Sequence, residues 1–431
     1  MEARRKTRRV KREKSADPIQ APAVVPRGGR QIVIPMTRCE YDEIWEDASR
    51  VRARVESLVA ASPDLFPASV RDRFFLEGFG RMSKKLAGVR LRKVVARDNS
   101  IYWLRPSFAM PFMTGTVEEL EHPLLLASFG VPNWLLTRIF GHSDMFWYRL
   151  IERLGRNSLV GTTVRDPDCL PRHLAADEHH ADWCDGKGYV AATAAKGCVL
   201  GLALTPMADD DHLKAAYGDF AAEARNVKAD DTPETVNTDG WAATQNAFQA
   251  LFSSISVILC FLHGFLKIRD RCRKNFDLHT RVWEIYRAQT AAEFHRRMTE
   301  FQAWCATQTW SSAVHEMVAK LWKRADQYAV AYAHPGCLRT SNTVDRPMNR
   351  LRRLIYAGRG LHGNQQTSER RLRGWALLLN FRPFAPRSGL KREYQSPAHQ
   401  LNQSRYHEHW LHNLMTSTSL MGFRNAAPAI R

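Results

Sequence analysis

The chain has 431 residues, of which 44% are hydrophobic and twelve are tryptophan. This length allows one large domain with one or two smaller ones, and this composition excludes general disorder. Lysine and arginine number 63 against 44 acidic residues, so the formal charge is +19. The excess favours a polyanionic partner, with nucleic acid as the first candidate, although an anionic membrane surface would also attract it.

The sequence predicts neither a membrane span nor a secretory signal. Its longest apolar run, SVILCFLHGFL, is shorter than the roughly 20 residues that cross a bilayer. The basic N-terminus is not followed by an apolar core. The eight cysteines are scattered, which argues against a disulfide framework or a paired zinc motif. We therefore expect a protein of the reducing cytoplasm, associated with the nucleoid, that makes no membrane contact.

Residues 1–30 form a basic arm, MEARRKTRRVKREK, followed by a linker rich in proline, glycine and alanine. Such a segment is expected to be disordered when free. Its functional interpretation is a tail that follows DNA phosphates through Arg4, Arg5, Arg8 and Arg9. The alternative is a solvated terminus without a specific role, and the sequence does not choose between them.

Residues 31–160 are expected to form a mainly helical DNA-binding region. The segment EELEHPLLLASFGVPNWLLTRIFG predicts an apolar helix, a turn at Gly130 and a second helix. This is the outline of a helix-turn-helix, in which Asn133, Thr137 and Arg138 would face DNA. The alternative is an ordinary helical hairpin whose apolar residues fill a core.

In residues 161–275 the sequence pattern changes from mainly helical to alternating strands and helices. Strand-like runs at HLAADEH, YVAATA and CVLGLAL are followed by helix, TVNTD, helix and ISVILC. Three antiparallel strands and then alternating strands and helices predict an α/β fold with a mixed five-stranded sheet of the ribonuclease H kind. Residues 276–336 are then an all-helical insertion, 337–382 supply the final helices of the core, and 383–431 form a basic C-terminal tail.

Three aspartates stand where this topology would gather them at the rim of the sheet: Asp177, Asp239 and Asp345. Clustered carboxylates repel one another unless cations neutralise them, so the trio predicts a site for divalent metal. Two metals held by shared carboxylates support in-line phosphoryl displacement. Glu178 should point to the opposite face of its strand. Glu369, which also opens a helix, is the second choice for the third acid.

Two further features lie close to the second aspartate. Cys260 and His263 form a C-x-x-H without a second pair, and two ligands do not make a structural zinc site. We favour packed residues that brace the junction of strand and helix over metal ligands. Trp241 could stack on an unpaired base, or it could join a core face with Thr244 and Phe248.

These motifs together resemble the bacterial insertion-sequence transposases that have a DDE/DDD ribonuclease H-like domain. The resemblance is closest to the branch, shared with Mutator-like and hAT-like relatives, that carries a C/D-x-x-H signature and a helical insertion. Cys260 and His263 match that signature, and Asn342, three residues before Asp345, matches the Asn-x-x-acid of the family. The similarity covers roughly residues 120 to 415.

The resemblance implies DNA cleavage at element ends followed by strand transfer into target DNA. Asp177 and Asp239 would coordinate two Mg²⁺ or Mn²⁺ ions, and Asp345 would complete one of them. The implied partners are the terminal repeats of the element and target DNA, with a homo-oligomer on paired ends. Two alternatives stay open: a catalytically silent DNA-binding protein derived from a transposase, and a ribonuclease H-like nuclease without strand transfer.

Overall fold

The computed structural model describes residues 29–183 and 186–423, which form two β-sheets with helices packed on them. The strands are β1 (Gln31–Ile34), β2 (Phe74–Phe79), β3 (Arg92–Ala96), β4 (Ile101–Pro106), β5 (His173–Trp183), β6 (Gly186–Ala195), β7 (Cys198–Thr205), β8 (Thr235–Thr238) and β9 (Ser256–Leu259). The expected basic arm, including Arg4, Arg5, Arg8 and Arg9, lies outside the described residues.

The α-helices alternate with and follow these strands. They are α1 (Arg38–Ile44), α2 (Ala48–Ala61), α3 (Ala68–Asp72), α4 (Val117–Ser128), α5 (Asn133–Phe140), α6 (Asp144–Leu154), α7 (Leu159–Thr163), α8 (Asp210–Val227), α9 (Ala242–Leu251), α10 (Phe261–Arg271), α11 (Phe276–Tyr286), α12 (Ala291–Ala306), α13 (Ser312–Lys323), α14 (Ala325–Ala329), α15 (Asn342–Ala357), α16 (Gln365–Phe381), α17 (Pro397–Asn402) and α18 (Trp410–Ser417).

The first sheet lies in the region that we expected to be mainly helical. Its strand order is β1-β4-β3-β2, with β1 parallel to β4 and the other neighbours antiparallel. The run FFLEGF in that region is strand β2 and pairs with β3. Pairing between distant segments decides its conformation, and the local sequence pattern does not contain that information.

The second sheet has five strands, in the order β7-β6-β5-β8-β9. Strands β5, β6 and β7 are antiparallel, whereas β8 is parallel to both β5 and β9. The chain therefore has an α/β fold with a mixed five-stranded sheet. One detail differs from expectation: β5 does not end near Asp177 but continues to Trp183, since it pairs with β6 as far as Gly186.

Side chains that alternate along β5 build an apolar core on each face of this sheet. Leu174 and Ala176 pack with α8 and α9. Ala175 and Ala181 pack on the other face, with α15, α16, α4 and α6. Because successive residues of a strand face opposite sides, these contacts also decide which face each polar residue of β5 occupies.

Helices α11 to α14 separate β9 from α15 and share one apolar cluster with α10. Phe265 of α10, Leu278 of α11, Phe294 of α12 and Val318 of α13 are all buried in it. The stretch that we expected as a helical insertion is thus helical, and its core begins earlier in the chain than residue 276 because α10 contributes to it.

Part of the region expected as a basic C-terminal tail belongs to the core, since every residue from Trp410 to Leu420 is buried. Every residue of α18 is buried, although the helix contains His, Asn, Ser and Thr. The ring of His412 hydrogen-bonds Ser107 Oγ at 2.8 Å and Glu118 at 3.2 Å. Ser419 Oγ accepts from the Val33 amide of β1. Hydrogen-bond partners of this kind allow polar side chains to be buried. The polar composition of the segment therefore gave no indication that it would be buried.

None of the described helices is both long enough and apolar enough to cross a membrane.

Candidate functional site

The register of the five-stranded sheet brings the first two aspartates side by side. Strands β5 and β8 are parallel, and Ala175 is paired with Asn237. Two residues further along each strand, that register places Asp177 of β5 beside Asp239, which directly follows β8. Asp177 shares its face of β5 with Ala175, and this is the face that α15 covers. Asp345 lies in the first turn of α15.

The three carboxylates are near enough to influence one another. Burial raises the pKa of Asp177 to about 7, and the charges of Glu178, Asp239 and Asp345 contribute to that rise. In the described part of the chain, no lysine or arginine forms an ion pair with Asp177, Asp239 or Asp345. The sheet edge therefore holds concentrated negative charge that the protein neutralises only in part.

Each aspartate uses one oxygen in a local hydrogen bond. Asp177 Oδ1 accepts from the Glu178 amide at 3.0 Å, and Asp239 Oδ1 accepts from the Trp241 amide at 2.9 Å. Asp345 Oδ2 accepts from Ser341 Oγ at 2.8 Å. These bonds fix the orientation of each carboxylate and leave a second oxygen for another ligand.

Cys260 and His263 connect to the third aspartate through Ser341. The Cys260 sulfur lies 3.2 Å from both the amide nitrogen and Oγ of Ser341, and His263 Nδ1 lies 3.4 Å from the same Oγ. Ser341 in turn holds Asp345. The C-x-x-H pair therefore contacts the start of α15 through Ser341.

This network also carries charge. Hydrogen bonding to Cys260 raises the pKa of His263 to about 9 against the effect of burial, and Asp345 and Asp239 raise it as well. Burial alone would raise the pKa of the Cys260 thiol, but hydrogen bonds with His263 and Ser341 outweigh it and lower that pKa. His263 is thus a cation behind the aspartates at neutral pH.

Sequence reasoning missed three residues of this site. Ser341 is fully buried, and no motif distinguished it from the neighbouring serines and threonines. Asn237 Nδ2 donates to the Leu338 carbonyl and ties β8 to the segment before α15. Arg324 reaches the turn after Asp239, where its guanidinium would lie 3.3 Å from a Cβ placed on Gly240. Such contacts join distant parts of the chain and leave no local pattern.

The two glutamates weighed in the sequence are held by hydrogen-bond partners other than the three aspartates. Glu178 accepts hydrogen bonds from Thr244 Oγ1 at 2.6 Å and from the Tyr217 hydroxyl, on the side of α8 and α9. Glu369, the second choice for the third acid, accepts from the Leu204 amide of β7, at the opposite edge of the sheet. None of the three aspartates is among the charged groups that shift the pKa of Glu369, which is raised by burial.

Asn342 and Trp241 are both placed at the surface. Asn342 is the first residue of α15, is exposed, and lines a cleft of about 490 Å³ with Arg346 and Arg382. Trp241 is 50% exposed two residues after Asp239, whereas Thr244 and Phe248 of the same helix are buried. Trp241 is therefore not part of the core face that we considered for it.

The expected helix-turn-helix corresponds to α4 and α5. Helix α4 is anchored in the apolar core beside α15 and α16, whereas Leu136 alone is fully buried in α5. Thr137 donates to Asp144 Oδ1 at 2.7 Å and so joins α5 to α6. Asn133 lines a cleft between α5 and α15, and Arg138 is exposed. The hairpin thus belongs to the core through its first helix, and its second helix faces outward.

Neither protein-family models nor curated proteins give a match to this sequence. Across residues 29–183 and 186–423, no three His, Cys, Asp or Glu side chains stand as a ready metal cage. The carboxylates are the kind of hard oxygen ligand that Mg²⁺ and Mn²⁺ prefer, with a free oxygen on each.

Replacing Asp177 by asparagine is expected to stabilise the metal-free protein in a pH-dependent way. An acid whose pKa is raised by folding, here to about 7, stabilises the fold while protonated. That contribution to the free energy of unfolding is complete below the pKa of the aspartate in the unfolded chain. It is lost as the pH rises through about 7. The asparagine side chain does not ionise and carries no such loss, so the variant should melt a few degrees above the wild type at pH 8 in EDTA.

At pH 4 the two proteins should melt at nearly the same temperature. Asp230→Asn, at an exposed position in the loop before β8, is the matched control and should show no pH-dependent gain. Equal melting temperatures for wild type and Asp177→Asn at pH 8 would show that the carboxylate cluster carries no electrostatic strain.

Proposed function

We propose that this chain is a DDE/DDD-type transposase, which cleaves DNA at the ends of a mobile element and transfers those ends into target DNA. The observation that carries the proposal is the convergence of Asp177, Asp239 and Asp345 at one edge of a mixed sheet. A cluster of three aspartates that is only partly compensated costs folding energy, so its presence is better explained by chemistry than by stability.

The strand arrangement supports a ribonuclease H-like assignment. Three antiparallel strands are followed by two parallel ones, in the order β7-β6-β5-β8-β9, with helices on both faces. The helical segment α11 to α14 lies between the second and third aspartates, as in the transposase branch that the sequence resembles.

Asp177 and Asp239 would hold two Mg²⁺ or Mn²⁺ ions, with Asp345 completing one site. Bound there, the ions would activate a water or hydroxyl and stabilise the leaving oxygen of a phosphodiester. The residues of the chain orient this centre: the Glu178 and Trp241 amides and the Ser341 hydroxyl each fix one carboxylate. His263 lies behind Asp345 as a compensating cation.

DNA contacts in this proposal come from cations and aromatic rings around the trio. Arg324 lies near Gly240, where it can meet a phosphate, and Trp241 is exposed beside Asp239. The outward residue Arg138 of α5 would add a phosphate contact, and Asn133 would lie near the DNA. Two copies of the chain would hold paired element ends, because both ends are joined to one target.

Ser341→Ala is expected to reduce metal-dependent DNA cleavage about tenfold, as removal of groups that orient metal ligands commonly does. The change removes the hydroxyl that fixes Asp345 but leaves the chain packing unaltered. The Mn²⁺ concentration for half-maximal cleavage should rise, a readout that a general loss of stability would not move.

Ser341→Thr keeps the hydroxyl and should restore cleavage to within about threefold of the wild type. If Ser341→Ala shows the metal dependence of the wild type, the serine does not position Asp345.

The proposal is tested with labelled DNA from both flanks of the gene, a target plasmid, and Mg²⁺ or Mn²⁺. A transposase would cleave at a defined end and join that end to the plasmid. Cleavage without joined product would indicate a nuclease that lacks strand transfer. Specific binding without cleavage in either metal would indicate a DNA-binding protein, and would refute the enzymatic assignment.

A further inference from the structure

One face of α15 leads from the acidic site to a surface cleft. Asp345, Asn349, Arg352 and Tyr356 follow one another at steps of four, three and four residues. Residues at these steps lie on the same side of a helix. The stripe is about 16 Å long at the helical rise of about 1.5 Å per residue. Its last three members are exposed, and Tyr356 reaches 86% exposure.

Strand β5 runs beside this stripe in the same direction. His179 lies two residues beyond Asp177 on the same face of β5, and it senses the charge of Arg352. The backbone confirms the alignment at the far end, where the Leu361 amide donates to the Asp182 carbonyl. The strand and the helix therefore form the two walls of one path that starts at the aspartates.

The path opens into a cleft of about 910 Å³. Arg352, Tyr356 and Arg359 line it from the side of α15, Lys187 lines it from β6, and Trp134 of α5 closes it. Trp134 is 61% exposed, although it is among the largest apolar side chains of the protein. Two unburied aromatic rings in one cleft are unusual for a surface without a ligand.

The charge of the cleft is positive. Among the described residues that line it, Arg352, Arg359 and Lys187 are cationic, and Asp182 supplies the one carboxylate. Throughout the described segments, neither Arg352 nor Arg359 forms an ion pair with an acidic side chain. Burial lowers the pKa of His179, and the charge of Arg352 lowers it further. Free guanidinium groups beside exposed rings are the combination that binds single-stranded nucleic acid.

We propose that this cleft binds unpaired nucleotides of the DNA strand next to the bond that the aspartates cleave. Arg352 and Arg359 would contact phosphates, and bases would stack on Tyr356 and Trp134. In a duplex, neighbouring base pairs stack on each base and cover the faces that Tyr356 and Trp134 would contact. The site therefore favours a single strand. At about 3.4 Å per nucleotide, the stripe accommodates four or five of them.

This inference rests on the proposed function for the identity of the bond, but binding can be measured without cleavage. We would compare a labelled duplex that carries a five-nucleotide 3′ single-stranded extension with the same duplex without it, in EDTA. The wild type should bind the extended duplex about tenfold more tightly, a difference expected from base stacking on aromatic side chains.

Tyr356→Ala should remove that preference and leave the affinity for the blunt duplex unchanged. At 86% exposure the side chain contributes little to the fold, which a melting curve would verify. Phe75→Ala, at a half-exposed ring on the edge strand β2, is the matched control and should keep the tenfold preference. Arg352→Ala should weaken the preference and make it less dependent on salt.

Equal binding of both duplexes by the wild type would overturn the inference, as would a full preference retained in Tyr356→Ala. The two proposals fail separately. A protein that prefers the extension through Tyr356 but never cleaves DNA contradicts the transposase assignment alone. A protein that cleaves DNA without any such preference contradicts the cleft alone.

Discussion

Asp239→Asn is expected to reduce metal-dependent DNA cleavage about a thousandfold or more, equivalent to about 4 kcal/mol of lost transition-state stabilisation. Asparagine keeps the shape of the side chain, and its carbonyl oxygen can still accept from the Trp241 amide. It carries no negative charge, so it is a poor ligand for a divalent cation at the point where β8 ends.

DNA binding in EDTA should stay within about twofold of the wild type, because the contacts with phosphates come from other residues. Asp230→Asn, an exposed aspartate before β8, should cleave like the wild type. Cleavage by Asp239→Asn within tenfold of the wild type would contradict the assignment. A loss of DNA binding as large as the loss of cleavage would contradict it equally.

Gly374→Ala is expected to destabilise the fold by about 3 kcal/mol or more. Helices α6 and α16 touch through their backbones, and a Cβ on Gly374 would lie 2.0 Å from the Ile151 carbonyl oxygen. The reciprocal position is as tight, since a Cβ on Gly155 would lie 1.7 Å from the Arg370 oxygen. Side-chain rotation cannot relieve either overlap, so the helices would have to separate.

The sign of the change in the free energy of unfolding separates the effect of helix packing from that of helix propensity. Helix propensity alone predicts that alanine would stabilise α16 by about 1 kcal/mol. Gly389→Ala is the control, because a Cβ at Gly389 would meet nothing within 4 Å. Chemical denaturation of both variants would measure the difference. A Gly374→Ala protein as stable as Gly389→Ala would show that α6 and α16 do not pack as described.

The five-stranded sheet could be predicted because most of its strands are apolar and are separated by clear helices and turns. The parallel pairing of β5 with β8 then puts Asp177 and Asp239 at corresponding positions, two residues beyond Ala175 and Asn237. The end of β5 could not be predicted. Polar residues in HHADW resemble a turn, and only their pairing with β6 keeps them in the strand.

The parts that were missed depend on contacts between distant segments. Strand β1 exists because it pairs with β4, about seventy residues later in the chain. Helix α18 is buried because residues such as Ser107 and Glu118 satisfy the polar groups of His412. Ser341 joins Cys260, His263 and Asp345 only after folding. No periodicity or motif in the sequence indicates these contacts between distant residues.

Binding of Mn²⁺ is the most direct test that the three aspartates form one metal centre. Free Mn²⁺ would be followed by electron paramagnetic resonance as the wild type is titrated, beside a variant with asparagine at positions 177, 239 and 345. The wild type should bind two ions per chain saturably, and the triple variant should lose both. Equal binding by the two proteins, or no saturable binding by the wild type, would contradict the account.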